Sequence, residues 1–449
     1  MTSFLALGLL LGIGYGLRQR LGFLQRLYLP ASVIAGLAGL AAIQGFQAAG
    51  HPLPADWTAG WSRAPGILIN VVFACLFLGV EIPGFARIWK SAGRQLGYGQ
   101  IVAWGQYVVG LGLLLVLLGP VFGVNPLFGA VLPVGFEGGH GTAGGLGPVF
   151  DELGWAAGKD FALASATGGI IGAIVVGMAL INWAVRKGFV ANKKPPRENV
   201  EEEDWTGIIA TGRRPSAGRL TVSGDVIESL SLHLVVVAVA VWVGIGLKQG
   251  LVGIEGWVPV LERHRLLSSF PLFPLCMLGG LAVQLLADRF DPHGHIDHGL
   301  MRRIQNTALD FLVVAAIATI RLDVVLAGWL PLAILIAAGI LWNVGCLVWL
   351  ARRVFPDAWF ERGIAEMGQS MGVTATGLLL LRVVDPDYKT PAAEAFACKQ
   401  LMHEPFMGGG LWTGMAIPLI AAVGPLPVFA VACVAVAVWG VVLFFMRKG

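Results

Sequence analysis

Two stretches of this 449-residue chain place polar side chains and glycines between long apolar runs. The first reads Gly135-Phe136-Glu137-Gly138-Gly139-His140-Gly141-Thr142 and runs on to Gly145. The second runs from Glu366 to Gly377 and carries Gln369, Ser370, Gly372, Thr374 and Thr376. Seven of residues 135–147 are glycine, and each destabilises a continuous helix by about 1 kcal/mol relative to alanine. Both stretches are therefore expected to be hairpins or unwound helices. Their freed N–H and C=O groups, with the ends of half-helices, suit a carboxylate and small cations. The alternative is a pair of turns at a membrane surface. Against it, the first stretch has apolar arms, Leu127–Phe136 and Leu146–Phe150, each too short to cross a bilayer.

The individual side chains divide by chemistry. Thr142, Ser370, Thr374 and Thr376 offer neutral hydroxyls suited to sodium or to a carboxylate; in an ordinary helix they would satisfy their own backbone instead. His140 could hydrogen-bond an anion, share a proton, or tie the hairpin backbone together. Glu404, in His403-Glu404-Pro405 just before Gly408–Gly410, marks a third expected break and a candidate cation ligand. Asp310 lies six residues into an apolar run, where an ion ligand, an ion pair and a boundary position are all open. Glu81 beside Pro83, and Arg321 near Asp323, are read as boundary residues reaching for water. The loop Asp291-Pro-His-Gly-His-Ile-Asp-His298 resembles a metal cluster but is read as a solvated turn. Five cysteines lie in apolar segments with no CxxC spacing, so neither a zinc site nor a disulfide framework is expected.

The elements that position these residues are apolar spans. The chain is 56% hydrophobic and 13% charged, against about a quarter charged in soluble domains. Runs long enough to cross a bilayer fall at Phe4–Leu17, Leu29–Ala48, Ile67–Gly84, Gly97–Gly119 and Phe161–Ala184. A second set falls at Val226–Leu247, Phe270–Leu286, Ile304–Ile320, Trp329–Leu350, Ala393–Ile420 and Val428–Met446. The first is read as a retained helix, because no small-residue cleavage site follows it. Alternate loops hold 22 Lys and Arg against 5 in the others, with the remaining four, Lys159, Arg382, Lys389 and Lys399, near the two irregular segments. That bias places the N-terminus outside and the central loop and C-terminus in the cytoplasm. The net charge of +4 is a matter of topology and calls for no nucleic-acid partner. Residues 186–225, with KKPPREN, EEEDW and RRPSAGR, read as a solvated linker.

The spans also repeat. Pro30-Ala-Ser-Val-Ile-Ala-Gly36-Leu-Ala and Pro274-Leu-Cys-Met-Leu-Gly-Gly280-Leu-Ala share a pattern, and the charge bias runs them in opposite directions. Each is followed by two spans and then by a glycine-rich break. The expectation is an all-α membrane protein of two inverted five-helix repeats, each with a re-entrant or unwound segment, plus one extra C-terminal helix. The divisions are 1–185, 186–225, 226–426 and 427–449.

Gly138-Gly-His-Gly-Thr142, Ala166-Thr-Gly168, Leu29–Gly36 and Gly372-Val-Thr-Ala-Thr376 together resemble the sodium:glutamate symporter family, and the likeness covers nearly the whole chain. The resemblance implies a bacterial inner-membrane homodimer that carries glutamate or a related acidic solute with sodium ions and no other cofactor. It also implies an elevator-like movement of a substrate-bearing domain against a fixed one. The resemblance itself covers Gly138–Thr142, Gly372, Thr374 and Thr376; with Glu137, Gln369 and Ser370 beside them these are the candidate substrate contacts, while the reading of the individual residues makes Asp310, Glu404, Thr142 and Ser370 the candidate cation contacts. The chain departs from the family pattern in three ways. Glu137 stands where a small polar residue is expected, Gln369-Ser370-Met371 replace a glycine-rich stretch, and an eleventh span follows.

Other classes are a proton-coupled organic anion carrier using Glu137 or Glu404 and a membrane-embedded enzyme using His140 and Glu137. The enzyme would need a nucleophile or a metal set at ligand spacing, which the sequence lacks. A channel would need a repeated pore-lining motif.

Overall fold

The computed structural model describes residues 2–26, 29–80, 85–190, 206–264, 267–386 and 388–448. Among them there are helices and no strands. The first half holds α1 (Thr2–Arg20), α2 (Ala31–Ala48), α3 (Ala55–Ala74) and α4 (Phe85–Leu113), which continues through a π-turn at Leu114–Leu118 to Phe122. Three short helices follow: α5 (Val131–Phe136), α6 (Gly139–Gly145) and α7 (Gly147–Glu152). Then comes α8 (Ala157–Lys187).

The second half holds α9 (Ser229–Glu255), α10 (Phe273–Phe290), α11 (His298–Ala318) and α12 (Leu322–Ala327). Next, α13 (Trp329–Gly345) continues through its own π-turn at Cys346–Ala351. Last come α14 (Trp359–Met371), α15 (Thr374–Val384), α16 (Ala392–His403), α17 (Leu411–Val423) and α18 (Pro425–Lys448).

Local chemistry sets many of these ends. Pro30 and Pro54 precede α2 and α3 with φ near −55°, a value their rings impose. The Glu228 carboxylate accepts from the backbone N–H of Leu230 and Ser231 at the start of α9, and Asp297 caps α11 through the N–H of Leu300. Gly188, at φ 69°, ends α8 in the left-handed conformation.

Among the described residues, seven helical stretches are long and apolar enough to cross a membrane: 31–48, 92–122, 157–187, 229–255, 273–290, 329–354 and 425–446. Helices α1, α3 and α11 are as long but more polar. Four of the eleven expected spans, the first, third, eighth and tenth, are therefore not among the seven, and two of these also differ in their bounds. The third is not Ile67–Gly84: the helix starts after Pro54 and stops at Ala74, and further on Gly79 turns at φ 74° against the backbone of His298. Residues 81–84, including Glu81 and Pro83, lie outside the described residues. The span Ala393–Ile420 is two helices separated by 404–410. Of the central linker, KKPPREN and EEEDW also lie outside the described residues. Its later part is anchored, with Arg18 and Gln19 donating to the Thr206 carbonyl and the Arg219 N–H to Asp297.

Packing sorts the helices into two groups. Helices α1, α2, α3, α9, α10 and α11 pack chiefly on one another, and α4–α8 with α13–α18 do likewise. Small residues let the backbones approach, as membrane helices require. A Cβ on Gly36 of α2 would lie 2.6 Å from Ile317 near the end of α11. One on Gly280 of α10 would lie 2.2 Å from the carbonyl of Ala74 at the end of α3. The groups meet where α6 lies against α3 and α11. There Gly141, Gly144 and Gly145 face Ile69, Pro65, Leu309, Leu312 and Ala316.

Candidate functional site

Three helices of the second group turn polar faces toward one point. On α4 these are Gln95, Gly99, Gln100 and Gln106; on α14 they are Glu366, Gln369 and Ser370; on α16 they are Lys399, Gln400 and His403. Spacings of three, four and seven keep such residues on one side of a helix. Glu137, at the end of α5, enters the same cluster. All of these side chains are buried.

The bonding is continuous. Gln369 Nε2 donates to Glu137 Oε2 at 3.0 Å, and Ser370 Oγ donates to Glu137 Oε1. His403 Nε2 lies 3.2 Å from Glu137 Oε2. Lys399 Nζ donates to Glu366 Oε1 at 2.5 Å, Gln400 Oε1 at 2.9 Å and Gln369 Oε1 at 3.1 Å. Gln95 Nε2 donates to Glu366 Oε2 at 3.0 Å. Gln106 Nε2 donates to the Ser370 carbonyl and hydroxyl. The orientation of Gln369 follows from its neighbours, since only its oxygen can accept from an ammonium and only its nitrogen can donate to a carboxylate. Gly99 makes room: a Cβ there would lie 2.5 Å from both Glu366 Oε1 and Lys399 Cε.

Beside the cluster lies a cavity of about 380 Å³. Gly138, Gly141 and Thr142 line it from the first break, Val373, Thr374 and Ala375 from the second, and Glu404 and Gly408 from the third. Arg302, Gln305 and Asn306 of α11 complete its polar lining. Gln400 Nε2 donates to Thr374 Oγ1 at 2.7 Å and so joins cluster to cavity. The three breaks touch. Gly139, at φ 64°, lies against Val373 and the Gly372 carbonyl. Gly409, at φ 93°, lies so close to Thr142 Oγ1 that a Cβ would stand 2.1 Å away.

A second polar cavity, of about 580 Å³, lies at the other end of α3 and α11, among Ser62, Lys159, Arg321 and Asp323. There Arg321 pairs with buried Asp160 at 2.8 Å and also donates its backbone N–H to that carboxylate. A groove of about 790 Å³ along α9 and α10 is apolar and carries no charged side chain.

The residues singled out in the sequence therefore separate. Glu137, Gln369 and Ser370 bond directly to one another, and Gly138, Gly141, Thr142, Thr374 and Glu404 line the adjoining cavity. His140 turns to Thr167 Oγ1 on α8, 2.9 Å away, a side-chain contact to another helix rather than to the backbone of its own break. Gly372 ends α14 and packs against Thr376. Asp310 is exposed on α11 and reaches Ser32 of α2, apart from the cluster. In the loop 291–298, Asp291 accepts from the backbone of His293 and His295 and from the His295 ring. Burial acts to raise that carboxyl, but the His295 and His293 hydrogen bonds hold it below the usual carboxylate range.

Lys399, His403, Gln95 and Gln106 were not singled out. Their signal was available: Lys399 and His403 are four residues apart, and the glutamines recur on one face of an apolar helix. A buried charge in a membrane segment is expensive and marks function by default.

Long apolar helices enclosing a polar cluster and cavity make this a multi-pass membrane protein of the transporter class. The family described as sodium/glutamate symporter matches residues 1–351, and the chain belongs to that family. No curated protein and no solved structure matches it. The matched stretch contains Glu137, His140 and Thr142; Glu366, Ser370, Lys399, His403 and Glu404 lie beyond it.

Proposed function

We propose that the protein is a sodium-coupled symporter of glutamate or a related acidic solute, with its solute site in the cavity where the three breaks meet. The observation that carries this reading is the convergence of Gly138–Thr142, Val373–Ala375 and Glu404–Gly408 on one cavity beside a buried acidic cluster. Arg302, with backbone N–H groups freed at the breaks, suits a solute carboxylate. Thr142, Ser370 and Glu404 supply oxygens to sodium, which offsets the solute's charge. Asp310 faces away from this cavity and would serve a separate ion.

Two inverted repeats of five helices, with re-entrant breaks, underlie the site in this reading. Its support is the paired placement of Gly36 against the end of α11 and Gly280 against the end of α3, together with the π-turns that both α4 and α13 carry. An elevator-type exchange is supported by the two packing groups, which meet along glycines of α6. The cavities at opposite ends of α11 would then be the two sides of access. A homodimer in the bacterial inner membrane, with its N-terminus outside and its central loop and C-terminus in the cytoplasm, completes the proposal.

Purified protein in proteoliposomes should take up labelled glutamate on an inward sodium gradient. Uptake indifferent to that gradient would sink sodium coupling. His403 beside Glu137 favours a second reading, a proton in sodium's place. Uptake driven by a pH gradient alone, and lost in Glu137→Gln, would establish it.

A further inference from the structure

The cluster beside the cavity contains more charge than an anion carrier needs to hold its helices together. Two carboxylates, Glu137 and Glu366, are buried with one ammonium, Lys399. The ammonium does not sit between them. It is held on the Glu366 side by three side-chain oxygens, from Glu366, Gln369 and Gln400, at 2.5–3.1 Å. Glu137 instead receives a hydroxyl, an amide and an imidazole. An ion pair buried this deeply gives no net stability over an apolar pair of the same volume, so its stability alone does not explain it. The surroundings are also shaped around it: the glycine at 99 leaves the space into which Glu366 and Lys399 fit.

We infer that the Lys399 ammonium is a tethered cation, filling an oxygen-lined site that would otherwise bind a free monovalent ion. Glu366 is thereby balanced permanently within the chain. Glu137, bonded to the Ser370 hydroxyl that the symporter reading gives to sodium, is the carboxylate of this cluster left to a free coupling ion. Gln369 connects the two positions, accepting from Lys399 with its oxygen and donating to Glu137 with its nitrogen. The orientation of the Glu137 side chain is thus set by the tethered charge, and the carrier needs one free ion fewer than its buried carboxylates would demand. This deepens the symporter reading and rests on it only for the role of Glu137. The cation site itself is testable without any solute.

The test is the thermal stability of purified full-length protein in detergent, with sodium chloride against choline chloride at equal ionic strength. Lys399→Ala opens the site and leaves Glu366 unbalanced. Its sodium-specific rise in Tm should exceed that of the wild type by about 2–4 °C. Glu366→Gln combined with Lys399→Ala removes the carboxylate that calls for the ion, and the extra rise should disappear. In proteoliposomes, the slope of log uptake against log sodium should increase from about one to about two in Lys399→Ala. An equal sodium shift in Lys399→Ala and wild type overturns the inference. So does failure of Lys399→Ala to fold in sodium while the double variant folds, or persistence of the extra shift in the double variant. Wild-type protein that takes up no glutamate on a sodium gradient would instead defeat the symporter reading, leaving the Tm comparison to judge the tethered cation.

Discussion

The loop Asp291–His298 and the cluster around Glu137 contain the same kinds of side chain, carboxylates with histidines, in opposite surroundings. In the loop, Asp291 and His295 are 2.7 Å apart with side chains 19% and 42% exposed. In the cluster, Glu137 and His403 are 3.2 Å apart with side chains 1% and 0% exposed. The loop is dense in sequence, and its polar groups are spent on folding the turn, capping α11 through Asp297 and holding the linker at Arg219. The cluster is scattered in sequence: Glu137 and Gln369 lie 232 residues apart. Water screens the loop's charges and nothing screens the cluster's. Proximity in sequence is therefore a poor guide to chemistry here, and burial is a good one.

The contrast is sharpest for a substitution that breaks the buried pair. Glu366→Gln leaves the Lys399 ammonium buried without a carboxylate, and should lower unfolding free energy by about 3–5 kcal/mol. Thermal melts in detergent at fixed ionic strength would show it; a melt like that of the wild type would mean the pair is solvated after all. Gly99→Ala pushes a methyl into the same pair and should destabilise by about 1–3 kcal/mol. A melt like that of the wild type would mean that the pair yields to the methyl at no cost.

Glu137→Gln keeps one oxygen to accept from Gln369, and its amide can donate to the Ser370 hydroxyl, so its stability cost should be only about 1 kcal/mol. Uptake of labelled glutamate should nevertheless be lost, and a variant that transports normally would remove Glu137 from the site. In the loop, Asp291→Asn should change stability by no more than about 0.5 kcal/mol at neutral pH. The sign of its pH dependence follows from the lowered carboxyl. Any stabilisation is present above the ordinary carboxylate value of about 4 and is lost as pH falls through the lower, folded-state value. A melt of this variant that departs from wild type by several degrees at pH 7 would erase the difference between the two regions.

Much of the architecture was legible beforehand for local reasons. Glycines 138, 139 and 141, glycines 408–410 and the Pro405 ring act on the backbone where they stand, so the helix interruptions at 137–138 and 404–410 fall where the sequence has them. The second break is narrower than its sequence suggested. Residues 366–371 remain helical and only Gly372 and Val373 interrupt, because Gln369, Ser370 and Met371 supply no glycine to unwind the turn. The start of α3 was missed because its first turns are polar enough to resemble a loop.

Membrane class and the places where helices break are thus properties of the sequence itself. Each depends on run length, composition or a backbone constraint acting within a few residues. Which polar side chains meet was decided by tertiary structure. Rotation of α6 sends His140 to Thr167 and away from the cluster, while rotation of α16 brings Lys399 to Glu366 and His403 to Glu137. Helix rotation is set by how small and large residues interlock across the whole bundle, and no local stretch of sequence contains that information.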